Sequence, residues 1–337
     1  MINNKIINFI RAICYYVLII MCTYMYNFFA ELYVFCNMII DRDICRTNIF
    51  SKRFNNCSIS DNFKYLYCHS MVLVWKIVGL TIYIDNQILS DRLLWISNHR
   101  SKLDGLVLQS LLYTAGNNNL AVIKNSVKYY PLIGSFSQYM ESIFVVRGYE
   151  STDILIKAAE KTILSNNSIL LFPEGTTMSV ENKKKSDLHS IQNGLTSTKN
   201  VLIPKTVGYS IIKNYGKFNS IGNLTIQYNN PHLSNNEEHS FTDLFTKFPH
   251  DLFINVEYIY DKDMDMDINI HDIFQKKDTF LENKIIPSNY YPVNYSNPCL
   301  IFNLMLFITF YYFLWNVQFM RLSSIFVTVY SIIRVLI

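Results

Sequence analysis

Charge is scarce in this 337-residue chain, with Asp, Glu, Lys and Arg together at 17% against roughly 25% in an average soluble domain. A water-facing surface needs charge, so the shortage argues that part of the chain faces something other than water. The 50% hydrophobic and 15% aromatic content points the same way. The formal net charge is only +4, which is no footprint of a nucleic-acid binder. Cysteine is present without pattern. Cys14, Cys22, Cys36, Cys45, Cys57, Cys68 and Cys299 show no CxxC spacing, which argues against a disulfide scaffold or a zinc site. They read as small buried thiols, and no metal is called for.

Charge is missing altogether from two long stretches. Residues 12–30 are nineteen uncharged residues between Arg11 and Glu31, and at 1.5 Å per residue they cover about 28 Å, close to a bilayer's hydrocarbon thickness. A second apolar piece, 32–40, follows. The stretch is longer than a signal peptide's apolar core and has no small-residue cleavage site, and the N-terminus lacks the Arg and Ser of a transit peptide. Near the other end, 299–320 are twenty-two uncharged residues, and 322–333 are apolar again. The expectation is an N-terminal membrane anchor in 1–45 and C-terminal membrane segments in 299–337. Few ionisable residues lie inside these runs, which argues against a transporter or channel.

Between the two ends, short apolar runs alternate with helical periodicity. Leu93–Ser97, Ala121–Ile123, Ile143–Val146, Ser168–Phe172 and Val201–Ile203 lack polar alternation and read as strands buried on both faces. Phe253–Tyr260 reads as a further strand. Ser151 or Thr152 starts a helix to about Ser165, with Leu155, Ala159 and Ile163 on one face. Residues 240–248 read as another helix, with Phe241, Leu244, Phe245 and Phe248 as its stripe. The polar stretches 231–240 and 262–267 read as loops. Together these describe an α/β domain over 60–290, with reactive loops at strand ends.

Two such loops carry chemistry. The first is NHRSKLDG, residues 98–105, directly after an apolar strand. His99 and Asp104 are five residues apart, about 140° around an unbroken helix. For the carboxylate to meet the imidazole, His99 must sit in the turn before the helix, where Asn98 and Ser101 are the expected polar residues. Asp104 would then hold one ring nitrogen protonated and leave the other to accept a proton. No serine or cysteine nucleophile with its own motif accompanies the pair. That favours a dyad acting directly on a substrate hydroxyl over a covalent acyl-enzyme.

The second loop is FPEGT, residues 172–176, where another strand ends. Pro173 and Gly175 bracket Glu174 in a tight turn whose amides can hold phosphate oxygens. Glu174 itself would repel phosphate, and is expected to hold the turn or to meet a substrate hydroxyl. Arg147 ends a strand and offers a bidentate fork to a phosphate. Lys124 and Lys205 also follow apolar strands and add positive potential.

NHRSKLD and FPEGT resemble the first and third blocks of the glycerolipid acyltransferase family. The resemblance places the family's histidine and aspartate on His99 and Asp104, and its phosphate-associated arginine on Arg147. Its glutamate and glycine fall on Glu174 and Gly175, and its late proline on Pro204. Asn193–Gly194–Leu195, Pro204–Lys205–Thr206–Val207–Gly208 and the segment 124–134 look most like the lysocardiolipin acyltransferase-like branch. Two positions depart from the pattern: Glu141 stands where the second block often has glycine, and Thr177 where the third often has arginine.

The family's fold, an acyltransferase-type α/β domain, is implied for 60–290, flanked by hydrophobic membrane helices. The implied activity is acyl transfer from acyl-CoA, as co-substrate, to the free hydroxyl of a lysophospholipid. The runner-up is a 1-acylglycerol-3-phosphate acyltransferase making phosphatidic acid. A catalytically inactive lipid-binding protein is disfavoured by the intact His99 and Asp104. Arg147, Glu174, Gly175 and Thr176 would hold the acceptor's phosphate and glycerol, with Asn98, Lys124, Pro173, Pro204 and Lys205 in support. No bound cofactor and no nucleic acid is expected, and the implied setting is integral to the endoplasmic reticulum or a mitochondria-associated membrane.

Overall fold

The computed structural model describes residues 59–77, 79–129, 140–146, 148, 150–218, 220–229, 250–260, 269–283 and 289–293, and four isolated positions. Eight strands form one sheet in the order β4-β3-β5-β2-β6-β7-β1-β8. In chain order these are β1 (Leu80–Ile84), β2 (Leu94–Ser97), β3 (Asn119–Lys124), β4 (Ile143–Val145), β5 (Ser168–Leu171), β6 (Ser220–Asn229), β7 (His250–Tyr260) and β8 (Tyr291–Pro292). The five from β4 to β6 run parallel. β7 turns antiparallel to β6 and parallel to β1. Parallel strands need covered faces, and helices supply the cover.

On one face lie α1 (Ile59–Ile77) and α2 (Asp104–Thr114). Met71 and Trp75 of α1 and Val107, Leu108 and Leu112 of α2 share a buried cluster with Trp95, Leu224, Ile226 and Ile254 of the sheet. The opposite face carries α3 (Glu150–Ser165), α5 (Thr206–Gly216) and α6 (Ile270–Glu282). There Leu155, Ala159, Tyr209, Ile212, Ile273 and Phe274 bury Leu94, Ile96, Ile169 and Ile221. Between them in sequence, α4 (Val180–Gln192) is capped by Ser179, whose side chain accepts from the Asn182 amide. Alternate residues of β2 thus serve opposite layers, which is why that strand is apolar throughout.

Several expectations need correction. Val201–Ile203 is buried but forms no strand. Its Ile203 amide donates 2.8 Å to Ser186 Oγ of α4, and the Asn200 carbonyl accepts from Arg100. In α3, Leu155 and Ala159 are buried as expected, but Ile163 is 43% exposed and Thr162 takes the inward position. The helix at 240–248 and the loops at 231–240 and 262–267 lie outside the described residues.

The expected membrane helices are the largest correction. Among the described residues, no helix is long and apolar enough to cross a membrane. The longest, α1, has 19 residues, but its sequence includes Asp61, Lys64, His69 and Lys76, and it packs on α2 and β1 within the domain. A helix that spends its apolar face on its own domain has none left for lipid. The hydrophobic flanks of the expected fold class, the integral-membrane setting and the endoplasmic reticulum location therefore do not stand. The runs 12–30, 32–40, 299–320 and 322–333 lie outside the described residues, apart from the isolated Met25.

Candidate active site

β2 and β5 are parallel neighbours, so the loops that follow them emerge side by side. The first opens with Asn98, which is wholly buried. Its Nδ2 donates 3.0 Å to the Ile226 carbonyl, and the Ile226 amide donates 2.8 Å to its Oδ1. This side chain copies a peptide group and extends the β2–β6 ladder by one rung beyond the strand. The chain can then turn while its first residue stays fixed.

His99 follows in that turn, and Asp104 is the first residue of α2. The structure brings the two together, with Nδ1 of His99 2.9 Å from Oδ2 of Asp104. The same oxygen accepts from the Arg100 amide at 2.6 Å and the Ser101 amide at 2.7 Å. The other oxygen, Oδ1, accepts from the Tyr228 hydroxyl at 2.8 Å. Four donors thus hold a carboxylate that is 1% exposed. With Nδ1 committed to the carboxylate, Nε2 is the basic atom of the imidazole. The His99 side chain is 19% exposed.

The FPEGT loop holds His99 from its other side. The His99 amide donates 3.2 Å to Glu174 Oε1, and the Met178 amide donates 2.9 Å to the His99 carbonyl. The Phe172 ring lies 4.4 Å from the imidazole, centroid to centroid. Glu174 is 2% exposed, and its Oε2 has no hydrogen-bond partner. Burial pushes its carboxyl up to about 8, against the opposing pull of the His99 amide and the Arg100 guanidinium. Burial in turn lowers Arg100 from its ordinary value. This geometry is that of a strut between two loops.

Gly175 takes φ +68, a left-handed conformation that a residue with a Cβ adopts only at a cost. Its amide donates 3.0 Å to the Phe172 carbonyl, so this turn amide is spent inside the turn. Thr176 Oγ1 accepts from Asn182 Nδ2 at 3.1 Å. Pro173 is buried and its carbonyl accepts from the Lys205 amide at 2.8 Å. Lys205 is exposed, with its side chain against Gly175. Pro204, just before it, is buried. Lys124 is exposed at the end of β3, one strand beyond β5. Arg147 lies outside the described residues.

Three residues of this neighbourhood were missed by the sequence reading, namely Arg100, Tyr228 and Lys277. Lys277 of α6 is 2% exposed and donates to the Leu224 carbonyl and, at 3.3 Å, to Thr225 Oγ1. Burial pushes its amine down to about 7, with Glu174 and Glu257 pulling the other way. A signal for it existed. Ile270, Ile273, Phe274, Lys277 and Asp278 follow helical spacing, so a lysine and an aspartate fall on the inward stripe. Tyr228 gave no such signal, because a strand tyrosine is ordinary core.

The chain is similar to known proteins over the segment that holds these loops. Residues 80–204 match the family model described as Acyltransferase. The 1-acyl-sn-glycerol-3-phosphate acyltransferase 3 of Arabidopsis thaliana is 29% identical over 144 residues, 40% of this chain and 38% of that protein. Lysocardiolipin acyltransferase 1 of Danio rerio is 25% identical over 199 residues, 53% of this chain and 49% of that protein. The chain thus spans half or less of the length of these curated relatives.

In fold, the chain is similar to the crystal structure of the 1-acyl-sn-glycerophosphate (LPA) acyltransferase PlsC from Thermotoga maritima. The TM-score is 0.54 at 13% identity, covering 84% of this chain and 99% of that one. Residues 80–204 thus match an acyltransferase family model, and the chain is similar to the glycerolipid acyltransferase superfamily at the family level. The narrower expectation of a lysocardiolipin-like branch does not separate, since relatives of both names align.

Proposed function

We propose that this chain is an acyl-CoA-dependent O-acyltransferase that esterifies the free hydroxyl of 1-acylglycerol-3-phosphate, yielding phosphatidic acid. The observation that carries the reading is the buried Asp104 carboxylate holding the His99 imidazole at 2.9 Å, at the mouth of two strand-end loops. A hydroxyl is a poor nucleophile, and a base that removes its proton during attack contributes roughly 10²–10⁴-fold. His99 Nε2 takes that proton as the hydroxyl oxygen attacks the thioester carbonyl. The tetrahedral intermediate then collapses, the carbon–sulfur bond breaks, and the thiolate of CoA leaves with the proton from His99.

The acceptor's phosphate is assigned to the Thr176–Lys205 side of the FPEGT turn, with Arg147 as its further cation. The acylglycerol-phosphate acceptor is supported by the names of several aligned relatives. A lysophospholipid remodelling activity is the second reading, favoured by the longer alignment with the lysocardiolipin enzyme. Initial rates of the purified full chain with one labelled acyl-CoA separate the two. The acceptors are 1-acylglycerol-3-phosphate, lysophosphatidylinositol, lysophosphatidylglycerol and lysocardiolipin. The expected result is the highest kcat/KM with 1-acylglycerol-3-phosphate. Preference for lysocardiolipin replaces the first reading with the second, and no transfer to any acceptor removes both.

A further inference from the structure

We propose that Tyr228 is a positioning residue of the His99–Asp104 pair, holding the carboxylate by its second oxygen and drawing off charge that the imidazole would otherwise feel. Tyr228 lies on β6, beyond the segment 80–204 that matches the family model. Its hydroxyl donates 2.8 Å to Asp104 Oδ1, while His99, Arg100 and Ser101 all address Oδ2. It is therefore the donor on the oxygen that the three bonds from the NHRSKLD loop leave open.

The Tyr228 hydroxyl donates and the carboxylate accepts. Burial, and then the Asp104 charge, push the Tyr228 phenol well above its ordinary value, so it remains a donor at every working pH. Two residues earlier on the same strand, Ile226 is bonded at both its amide and its carbonyl to the side chain of Asn98. β6 therefore holds the residue before His99 through Ile226 and the partner of His99 through Tyr228. A carboxylate pinned at both oxygens cannot swing away from the ring as the imidazole gains a proton.

The charged groups around the pair come from three elements. Arg100 lies on the same loop and acts on Asp104, Glu174 and Tyr228. Glu174 enters from the loop after β5 through the His99 amide, and Lys277 enters from α6 through its interaction with Glu174. Among the described residues, the Tyr228 hydroxyl is the donor to Asp104 Oδ1, so removing it leaves that oxygen's charge to act on the imidazole.

The kinetic arm of the test rests on the acyl-transfer reading; a second arm does not. The full chain and its Tyr228→Phe variant are compared in the pH dependence of kcat/KM for acyl transfer to 1-acylglycerol-3-phosphate. In parallel, the rate at which diethyl pyrocarbonate modifies His99 is followed against pH by peptide mass spectrometry. In the variant, both acid limbs should move to higher pH, because the unshared carboxylate favours the imidazolium. kcat should fall roughly tenfold, the worth of one hydrogen bond to a charged group, with KM for acyl-CoA unchanged.

3-Fluorotyrosine at 228 keeps the shape and strengthens the donor, so it should move the limbs to lower pH, and it serves if Tyr228→Phe fails to fold. On an Asp104→Asn background the Tyr228→Phe shift should vanish. Limbs that superimpose on those of the unmodified chain overturn the proposal, as does a shift that persists in Asp104→Asn. If the unmodified chain transfers no acyl group, the acyl-transfer reading falls, and the pyrocarbonate limbs alone decide on Tyr228.

Discussion

Buried ionisable residues carry most of the physical interest at the scale of single side chains. Asp104 is easily kept inside because four donors replace its lost water. Glu174 is less well served, with one oxygen bonded to the His99 amide and the other without a partner. Burial raises it to about 8, so between its ordinary value and that one the native state keeps a proton that the unfolded chain has released. Its contribution to stability is then fully present at low pH and falls as pH rises through that window. Lys277 runs the other way. Lowered to about 7, it acts only above that pH, where the native state lacks a proton that the unfolded chain holds. Below pH 7 Lys277 is charged in both states and adds no pH dependence, and the groups other than Glu174 cancel when Glu174→Gln is compared with the unmodified chain. The melting temperature of Glu174→Gln, minus that of the unmodified chain, is expected to climb steadily from pH 5 to pH 7. A difference independent of pH contradicts the assignment.

Much of this was legible in advance, and the exceptions have physical reasons. The apposition of His99 and Asp104 follows from helical geometry, since only a turn at His99 lets the two side chains meet. The turn at Glu174 was signalled by its flanking Pro173 and Gly175. The spending of the Gly175 amide within its own turn was not, because a sequence shows which amides a turn exposes only once its hydrogen bonds are drawn. Tyr228 lies 124 positions from Asp104, and nothing local marks a contact of that range.

At the scale of elements, the seam between β2 and β6 positions the chemistry. Leu94 to Ser97 pair with Ile221 to Leu224, and the Asn98 side chain continues the seam. Trp95, 0% exposed, fills the inward side, with its indole Nε1 donating 3.0 Å to Asn117 Oδ1. Across the seam is Gly222, where an added Cβ would overlap the indole ring. A Gly222→Ala variant must displace either the ring or the strand. It is expected to lose roughly 1–3 kcal/mol in a denaturant titration, the usual cost of overpacking. A midpoint equal to that of the unmodified chain contradicts this packing.

Most strands of apolar run were readable, as was β7 despite Asn255 and Glu257, whereas the equally apolar Val201–Ile203 is no strand. β2, β3, β4 and β5 all appear where apolar runs placed them. β6 was overlooked because Asn223, Thr225 and Gln227 interrupt its pattern, yet Asn223 and Thr225 are buried. Glu141 shows a family departure acquiring a physical meaning. It has φ +55, the left-handed region that suits the glycine often found there. Its carboxylate bonds Lys64 at 3.0 Å and Lys161 at 2.8 Å, ion pairs that a glycine would lack. Burial raises its carboxyl, but the two lysines outweigh that and hold it below the ordinary value.

For the whole molecule, the parallel arrangement of β2 and β5 makes the site. Their loops leave the same end of the sheet, and helices on both faces fix the ends from which they start. Reactive loops at strand ends are the general expectation for open α/β sheets, and here composition and motif spacing were enough to anticipate them. A charge-poor run shows that a segment is able to span a bilayer, and among the described residues no helix has that character.

The central claim is that the His99 imidazole, steadied by Asp104, is the base that activates the acceptor hydroxyl. Its most direct test is the initial rate of acyl transfer from labelled acyl-CoA to 1-acylglycerol-3-phosphate by the full chain and by His99→Ala, both checked for folding by their melting temperatures. A loss of roughly 10²–10⁴-fold in kcat is expected, the usual contribution of a positioned general base. A folded His99→Ala variant that turns over as fast as the unmodified chain contradicts the claim.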